Sequence, residues 1–110
     1  MKIPGAEYAF VEEQKLLDYC LNAAHPRGRH KARVFLSALG FAESSAPIVR
    51  AALLEAVRDR DAVPGEADEH GQRFTIDFPM TGPRGSAMIR SIWIIRSTED
   101  FPRLVSCYIV

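Results

Sequence analysis

Residues 87–96 read Ala-Met-Ile-Arg-Ser-Ile-Trp-Ile-Ile-Arg, a run rich in β-branched and aromatic side chains. Such residues favour the pleated, half-buried setting of a strand. Upstream, residues 73–80 read Arg-Phe-Thr-Ile-Asp-Phe-Pro-Met, in which apolar and polar side chains alternate. Alternation with a period of two is typical of a strand with one buried face. The loop 81–85 between the two runs contains Gly-Pro-Arg-Gly, which predicts a tight connection between antiparallel neighbours.

Two further segments complete a predicted four-stranded sheet. Residues 66–69 are expected to pair with the strand 73–80 across a His70-Gly71 turn, and residues 103–109 form the last strand. Side-chain alternation then assigns one face of the sheet to the core: Phe74, Ile76, Phe78, Ile89, Ser91, Trp93, Ile95, Val105, Cys107 and Ile109. The opposite face collects Arg73, Thr75, Asp77, Arg90, Arg96, Ser106 and Tyr108, with Ile92 and Ile94.

Helical spacing replaces this alternation in the first half of the chain. Helices are predicted over 12–21, over 30–39 with Gly40 as C-cap, and after Ser44-Ser45 with Pro47 in the first turn. The apolar stripes of these helices are Leu16, Leu17, Cys20 and Leu21, then Ala32, Phe35, Leu36 and Leu39, then Val49, Ala52, Leu53, Ala56 and Val57. Residues 1–10 are expected to form an irregular arm. The sequence therefore predicts an α+β fold, with three N-terminal helices packed on a four-stranded antiparallel meander.

Size and charge restrict the function. A chain of 110 residues with 47% hydrophobic residues predicts a single domain, 1–110, with a real core. The 14 basic and 14 acidic residues cancel, which argues against a general nucleic-acid coat protein but allows a local basic site. Cys20 and Cys107 are interpreted as reduced core residues, with a disulfide as the alternative. The chain lacks a signal-peptide pattern and a membrane-spanning run, so a cytoplasmic location is expected.

The most basic stretch is 27–33, Arg-Gly-Arg-His-Lys-Ala-Arg, which contains no acidic residue. It precedes and enters the second predicted helix, where free N–H groups and the positive end of the helix dipole attract anions. Arg27, Arg29 and Arg33 are therefore candidate phosphate-binding residues. His30 and Lys31 are candidate catalytic residues, since imidazole exchanges protons near neutral pH and Lys31 can hold a phosphate. The alternative is a solvated helix start or a patch for an acidic partner.

Three residues of the polar sheet face are further catalytic candidates. Arg90 can hold a phosphate, whereas Ser106 and Tyr108 can donate hydrogen bonds or a proton. The alternative for Arg90 is a structural ion pair with Asp77 across the hairpin, and Tyr108 can be an ordinary strand tyrosine. With Ile92 and Ile94 this face can also form a contact between copies of the chain.

No metal ion or cofactor is expected. The run Asp68-Glu69-His70 contains ligand types, but contiguous residues in a tight turn point in different directions and no second ligand cluster accompanies them. Phosphate-loop, dinucleotide and hydrolase motifs are absent from the sequence.

Several short motifs together resemble an uncharacterised bacterial domain family. They are Gly28-Arg29-His30-Lys31-Ala32-Arg33, Gly40-Phe41, Asp77-Phe78-Pro79, Gly82-Pro83 and Pro102-Arg103-Leu104-Val105. The family occurs in small stand-alone proteins and in larger toxin-like chains. The resemblance covers nearly the whole chain and implies the family without implying an activity.

The predicted order of elements also resembles the barnase/EndoU/colicin/RelE superfamily of metal-independent ribonucleases. Toxins of that superfamily often pair a helix-borne His or Lys with Ser/Thr-x-Tyr near the C-terminus. His30-Lys31 and Ser106-Cys107-Tyr108 are similar to that arrangement. The glutamate base of the superfamily lacks an obvious counterpart, because Glu66 and Glu69 are poor substitutes, so the identity of the base stays open.

These observations predict a ribonuclease-like toxin domain that cleaves RNA phosphodiesters through attack by the 2′-hydroxyl. Its partners would be RNA and a cognate antitoxin or immunity protein that protects the producing cell. Two alternatives remain. One is a non-catalytic interaction protein, either an immunity or antitoxin-like partner or a degenerate toxin relative. The other is a module that binds a phosphate ligand with the same basic residues.

Overall fold

The computed structural model describes residues 1–22, 24–27 and 29–110. Ala23 and Gly28, the first residue of the Gly28–Arg33 motif, lie outside the described residues. Three helices precede four strands. The helices are α1, which covers Glu13–Lys15 and continues as a π-helical turn over Leu16–Cys20, α2 (Arg29–Leu39) and α3 (Ala46–Asp59). The strands are β1 (Val63–Asp68), β2 (Gly71–Gly82), β3 (Gly85–Arg96) and β4 (Pro102–Ile109).

The four strands form one antiparallel sheet in the order β1-β2-β3-β4. Each strand lies beside its neighbour in sequence, as in a meander. The predicted α+β class and the helices-first arrangement are therefore confirmed. Two short 3₁₀ turns, Ala6–Tyr8 and Glu43–Ser45, lie in the arm and before α3.

The register of β2 and β3 confirms the predicted separation of the two faces. Phe74 lies opposite Trp93, Ile76 opposite Ser91 and Phe78 opposite Ile89, and all six side chains are buried. Their neighbours along the strands, beginning with Asp77 opposite Arg90, lie on the other face. We call that second face the outer face.

Strand β4 departs from regular alternation. Its register shifts between Ile92 and Trp93 of β3, so that Trp93 lies opposite Leu104 and Ile92 opposite Ser106. Leu104 is buried at the position that alternation assigned to Val105, and Val105 is the additional residue of a β-bulge. The core assignment of Val105 was therefore wrong.

Helix α2 is held by the hairpin that joins β2 to β3. Gly40 ends the helix with a φ of 79°, and the N–H of Arg84 donates to the carbonyl of Leu39 at 3.1 Å. A Cβ on Gly82 would come within 2.2 Å of that same carbonyl oxygen, so the close approach needs glycine there. Ala32, Phe35 and Leu39 are buried as predicted. Leu36 was wrongly assigned to the core, since it is 41% exposed.

The centre of the core contains one buried polar group with complete partners. The Ser91 hydroxyl donates to the carbonyl of Ile76 at 2.8 Å and accepts from the Trp93 indole N–H at 2.9 Å. Ser91 and Trp93 are both fully buried. Because a buried indole N–H without a partner is costly, Ser91 is what allows Trp93 to lie under the sheet.

Replacing Ser91 tests this arrangement. Ser91→Ala leaves the Trp93 N–H without its acceptor, and we expect a loss of about 1–3 kcal/mol in the free energy of unfolding. Urea unfolding followed by circular dichroism measures this loss as a lower midpoint at unchanged slope. The control is Ser86→Ala, because Ser86 is exposed and bonds only to the Thr81 hydroxyl across the hairpin. Equal midpoints for the two variants would contradict the role of Ser91.

Candidate functional site

A row of four polar side chains crosses the outer face midway along β2 and β3. Asp77 of β2 lies opposite Arg90 of β3, and Arg90 lies opposite Tyr108 of β4. Beyond β4, the ammonium of Lys31 lies 4.7 Å from the centre of the Tyr108 ring, in cation–π geometry. We call Asp77, Arg90, Tyr108 and Lys31 the phenol row. It brings together three of the predicted catalytic residues.

Arg90 makes a two-pronged ion pair within this row. Its Nε and Nη2 each donate to one carboxylate oxygen of Asp77, both at 2.9 Å. Asp77, and to a smaller extent the nearby Tyr108 phenol, raise the pKa of Arg90, while Arg90 lowers the pKa of Asp77. The Arg90 side chain is 41% exposed, so part of the guanidinium still faces solvent.

Lys31 enters the row because α2 begins beside β4. The helix contacts both β3 and β4, and Lys31 lies in its first turn. The Lys31 side chain is half-buried. The hydrogen bond with Cys20 and burial raise the pKa of the Cys107 thiol, and the charge of Lys31 opposes that rise. The cation is therefore held against the end of β4.

The arginines and the histidine of the basic stretch lie at the surface. Arg27, Arg29, His30 and Arg33 are all exposed. Successive helix residues point about 100° apart, so His30 does not share the direction in which Lys31 reaches Tyr108. The basic stretch thus places one side chain in the phenol row and surrounds it with exposed cations.

The structure gives His25 a role in the turn before α2 that the sequence did not reveal. Its ring Nδ1 accepts from the Arg27 N–H at 3.0 Å, and its carbonyl accepts from the Arg29 N–H at 2.9 Å. The sequence identified it only as part of a loop. A polar side chain two residues before a donor N–H, next to Pro26, is the signal that indicates such a turn.

Ser106 lies away from solvent. Its hydroxyl oxygen is buried and makes no hydrogen bond within normal distance among the described residues. It lies near the Cys20 sulfur, where its contribution to lowering the pKa of that thiol is small. The register places Ser106 opposite Ile92 on the outer face, but its hydroxyl is covered, and its catalytic role stays a prediction.

The two cysteines form a buried pair beneath β4. Cys20, at the end of the π-helical turn, and Cys107 are both free and both buried. The Cys107 thiol lies within hydrogen-bonding range and lowers the pKa of Cys20 to about 7, against the effect of burial. The pair places α1 beside Cys107, the residue that precedes Tyr108.

Two cavities lie outside the phenol row. One, of about 410 Å³, lies between α3 and β2 and is lined in part by Glu55, Asp59 and Arg60. The other, of about 250 Å³, opens on the outer face toward the end of the sheet at which β2 begins and β3 ends. Neither was predicted, because each depends on which segments meet in the folded chain.

Two properties of the described residues concern a possible membrane and a possible metal ion. None of the helices formed by these residues has the length and apolar character needed to cross a bilayer. Within the same residues, no group of three or more His, Cys, Asp or Glu side chains is arranged to hold a metal ion.

Comparison with known proteins identifies the family. Residues 2–110 match the family described as Domain of unknown function (DUF6883), and the chain belongs to that family. The expected membership of a domain family without assigned function is thereby confirmed. None of the curated proteins compared with the chain matches it.

A solved structure shares the fold. It is a chain of a contact-dependent growth inhibition toxin–immunity protein complex from Klebsiella pneumoniae 342. The TM-score is 0.71 at 16% sequence identity, and the match covers 91% of this chain and 98% of that chain. At this identity the similarity establishes a common fold.

The contribution of the Asp77–Arg90 ion pair to the free energy of unfolding can be measured as a function of pH. Arg90 lowers the Asp77 pKa in the folded state. The stabilising contribution of Asp77 is therefore fully present above the ordinary carboxyl pKa, near 4, and is lost as pH falls through the lower folded value. We expect Asp77→Asn to lower the free energy of unfolding at pH 7 by less than about 1 kcal/mol, because the pair is partly exposed.

Urea unfolding at pH 7, 4, 3 and 2 measures how this difference changes. We expect it to shrink below pH 4 and to disappear at the lowest pH. In the Arg90→Gln background the Asp77→Asn change should have no such effect. A difference of the same size at pH 7 and pH 2 would show that the ion pair is not its cause.

Proposed function

We propose that this domain is a toxin-type ribonuclease that cleaves RNA through the 2′-hydroxyl, with the phenol row as its active centre. The observation that carries the proposal is that two cations flank Tyr108, since Lys31 lies 4.7 Å from the centre of its ring and Arg90 lies opposite it on β3. A phenol can transfer a proton, and two cations beside it can hold a phosphate. The shared fold with a chain of a toxin–immunity complex supports the toxin part of the proposal.

The reaction assigns a separate role to each group. The 2′-oxygen of RNA attacks the adjacent phosphorus and loses its proton, and the bond to the 5′-oxygen of the next nucleotide breaks. Lys31 and the exposed part of Arg90 hold the phosphate oxygens as negative charge increases. Tyr108 gives its proton to the departing 5′-oxygen. The products are a 2′,3′-cyclic phosphate and a 5′-hydroxyl, and the proposal uses no metal ion or cofactor.

The base that removes the 2′-proton is assigned to His30. It is exposed in the first turn of α2, beside Lys31, where a bound RNA strand can reach it. Arg27, Arg29 and Arg33 would contact flanking phosphates from the same side. The His30 side chain points in a different direction from that of Lys31, so it would reach the 2′-hydroxyl from the solvent side.

A second candidate function uses the same fold without catalysis. Arg90 already has a carboxylate partner in Asp77, and a bound anion must share it. This observation favours an immunity or antitoxin-like protein, for which the ion pair is structural. A phosphate-binding module would use the exposed cations of α2 without proton transfer.

Removing single groups from the phenol row tests the ribonuclease proposal. Tyr108→Phe deletes only the hydroxyl, and we expect the cleavage rate to fall by about 10²–10⁴-fold. Lys31→Ala should lower it by about 10²–10³-fold, since it removes one stabilising cation. The assay follows a labelled single-stranded RNA and identifies the cyclic phosphate end. The same RNA with 2′-deoxyribose at the cleaved position should remain intact.

Matched variants control for general damage. Tyr8→Phe and Arg58→Gln alter exposed side chains outside the row and should cleave as the wild type does. Growth of producing cells supplies an independent measurement, because Tyr108→Phe should relieve any toxicity of the wild type. Wild-type protein that leaves RNA intact and cells unharmed would contradict the ribonuclease role and favour the interaction protein.

A further inference from the structure

The smaller cavity on the outer face combines aromatic, cationic and anionic side chains. It has a volume of about 250 Å³ and is lined by Phe10, Glu12, Lys15, Arg73, Ile94, Arg96, Arg103, Leu104 and Val105. We propose that this cavity binds one nucleobase of the RNA strand that flanks the cleaved phosphate without being adjacent to it. The proposal rests on the ribonuclease function, whose substrate contacts it extends.

The N-terminal arm forms one wall of the cavity. Phe10 forms a parallel bridge with Arg103 of β4, through Phe10 N–H to the Pro102 carbonyl at 2.9 Å and Leu104 N–H to the Phe10 carbonyl at 3.0 Å. The arm therefore acts as a short extra strand at the edge of the sheet. The Phe10 side chain remains 41% exposed although it belongs to the cavity wall. An exposed ring in a cavity offers a surface on which a base can stack.

Arg103 is held rigidly beside this ring. Its guanidinium lies 5.0 Å from the centre of Phe10 and 5.1 Å from the centre of Phe101. Three contacts of 2.7–3.1 Å connect it to the carboxylate of Glu99. Because the guanidinium is fixed between two rings, the cavity keeps its shape without a ligand. Less conformational entropy is then lost when a ligand binds.

The remaining charged side chains of the cavity fit a nucleobase better than a simple anion. Lys15 and Arg96 present cations, and the Arg96 side chain is 55% exposed with only a long contact of 3.9 Å to Glu99. Glu12 adds a carboxylate to the same wall, which would repel an acidic peptide. The edges of nucleobases carry both donors and acceptors, and a carboxylate accepts from an exocyclic amine such as that of cytosine. The volume is also below that of pockets for drug-sized ligands.

The cavity and the phenol row share one surface. Ile94 lies between Arg73 and Arg103, as Arg90 lies between Asp77 and Tyr108. Ile94 and Arg90 are four residues apart on β3 and therefore lie on the same face, separated by about 13 Å. A strand of RNA lying on the outer face can place a phosphate at one row and a flanking base at the other.

The test measures binding separately from cleavage. The probes are fluorescein-labelled 2′-O-methyl hexanucleotides of each base, which cannot be cut by 2′-hydroxyl attack, and anisotropy gives their dissociation constants. We expect Phe10→Leu to weaken binding about fivefold to a hundredfold, the range that base–aromatic stacking provides. Phe10→Tyr keeps an aromatic ring and should bind more tightly than Phe10→Leu. Tyr8→Leu, which changes an exposed aromatic outside the cavity, is the matched control.

Charged positions supply two more measurements. Arg96→Gln should reduce the slope of log affinity against log salt by about 0.7 if it contacts one phosphate of a single strand, while Arg58→Gln should leave the slope unchanged. Glu12→Gln should change the order of preference among the four bases. Unfolding midpoints equal to that of the wild type show that these variants remain folded.

Each outcome separates this proposal from the ribonuclease proposal. If the wild type cleaves RNA and Phe10→Leu binds and cleaves equally well, the base site is overturned and the ribonuclease remains. If the wild type binds the hexanucleotides through Phe10 but leaves RNA intact, the base site remains and the ribonuclease fails. Absence of hexanucleotide binding by the wild type, or equal displacement of the probe by polyglutamate, overturns the base site. A dinucleotide too short to reach the cavity should be cleaved equally by wild type and Phe10→Leu.

Discussion

Strand β3 sets the register of the outer-face residues of β2 and β4, because it is hydrogen-bonded to a neighbour along both edges. Its register is set from the other side of the sheet. Trp93 is buried between Phe74 and Leu104 and is held through Ser91, so a slip by one residue would expose the indole and bury Arg90. The buried apolar face thus supplies the stability and sets the register of the sheet. It thereby fixes the position of a polar row that contributes little to stability itself.

The neutral net charge of the chain conceals an uneven distribution. Several arginines of the sheet have carboxylate partners: Arg73 with Asp68, Arg90 with Asp77, and Arg103 with Glu99. The basic stretch before and within α2 contains no acid of its own. An RNA strand would meet permanent cations at α2 and neutralised ones on the sheet, which favours contact at a few positions over general attraction to nucleic acid.

The bulge in β4 affects both the cavity and the phenol row. In a regular strand without the bulge, Leu104 and Tyr108 are four residues apart and would lie on the same face. The bulge sends Leu104 into the core and still leaves Tyr108 opposite Arg90. β-Bulges often redirect side chains beside functional sites. Here the bulge separates the cavity at Arg103 from the phenol row at Tyr108.

Local sequence was sufficient for the order of elements and for the two faces of β2 and β3, because alternation and helical spacing depend on neighbouring residues. It also singled out Lys31, Arg90 and Tyr108, whose residue types stand out from their surroundings. Tertiary structure alone decided that Lys31 reaches Tyr108 while His30 stays exposed, that the Ser106 hydroxyl is buried, and that Phe10 pairs with Arg103. Those outcomes depend on contacts between segments that are distant in sequence and meet at the edge of β4. There a single additional residue changes the alternation of side chains, and the pattern of neighbouring residues does not reveal that change.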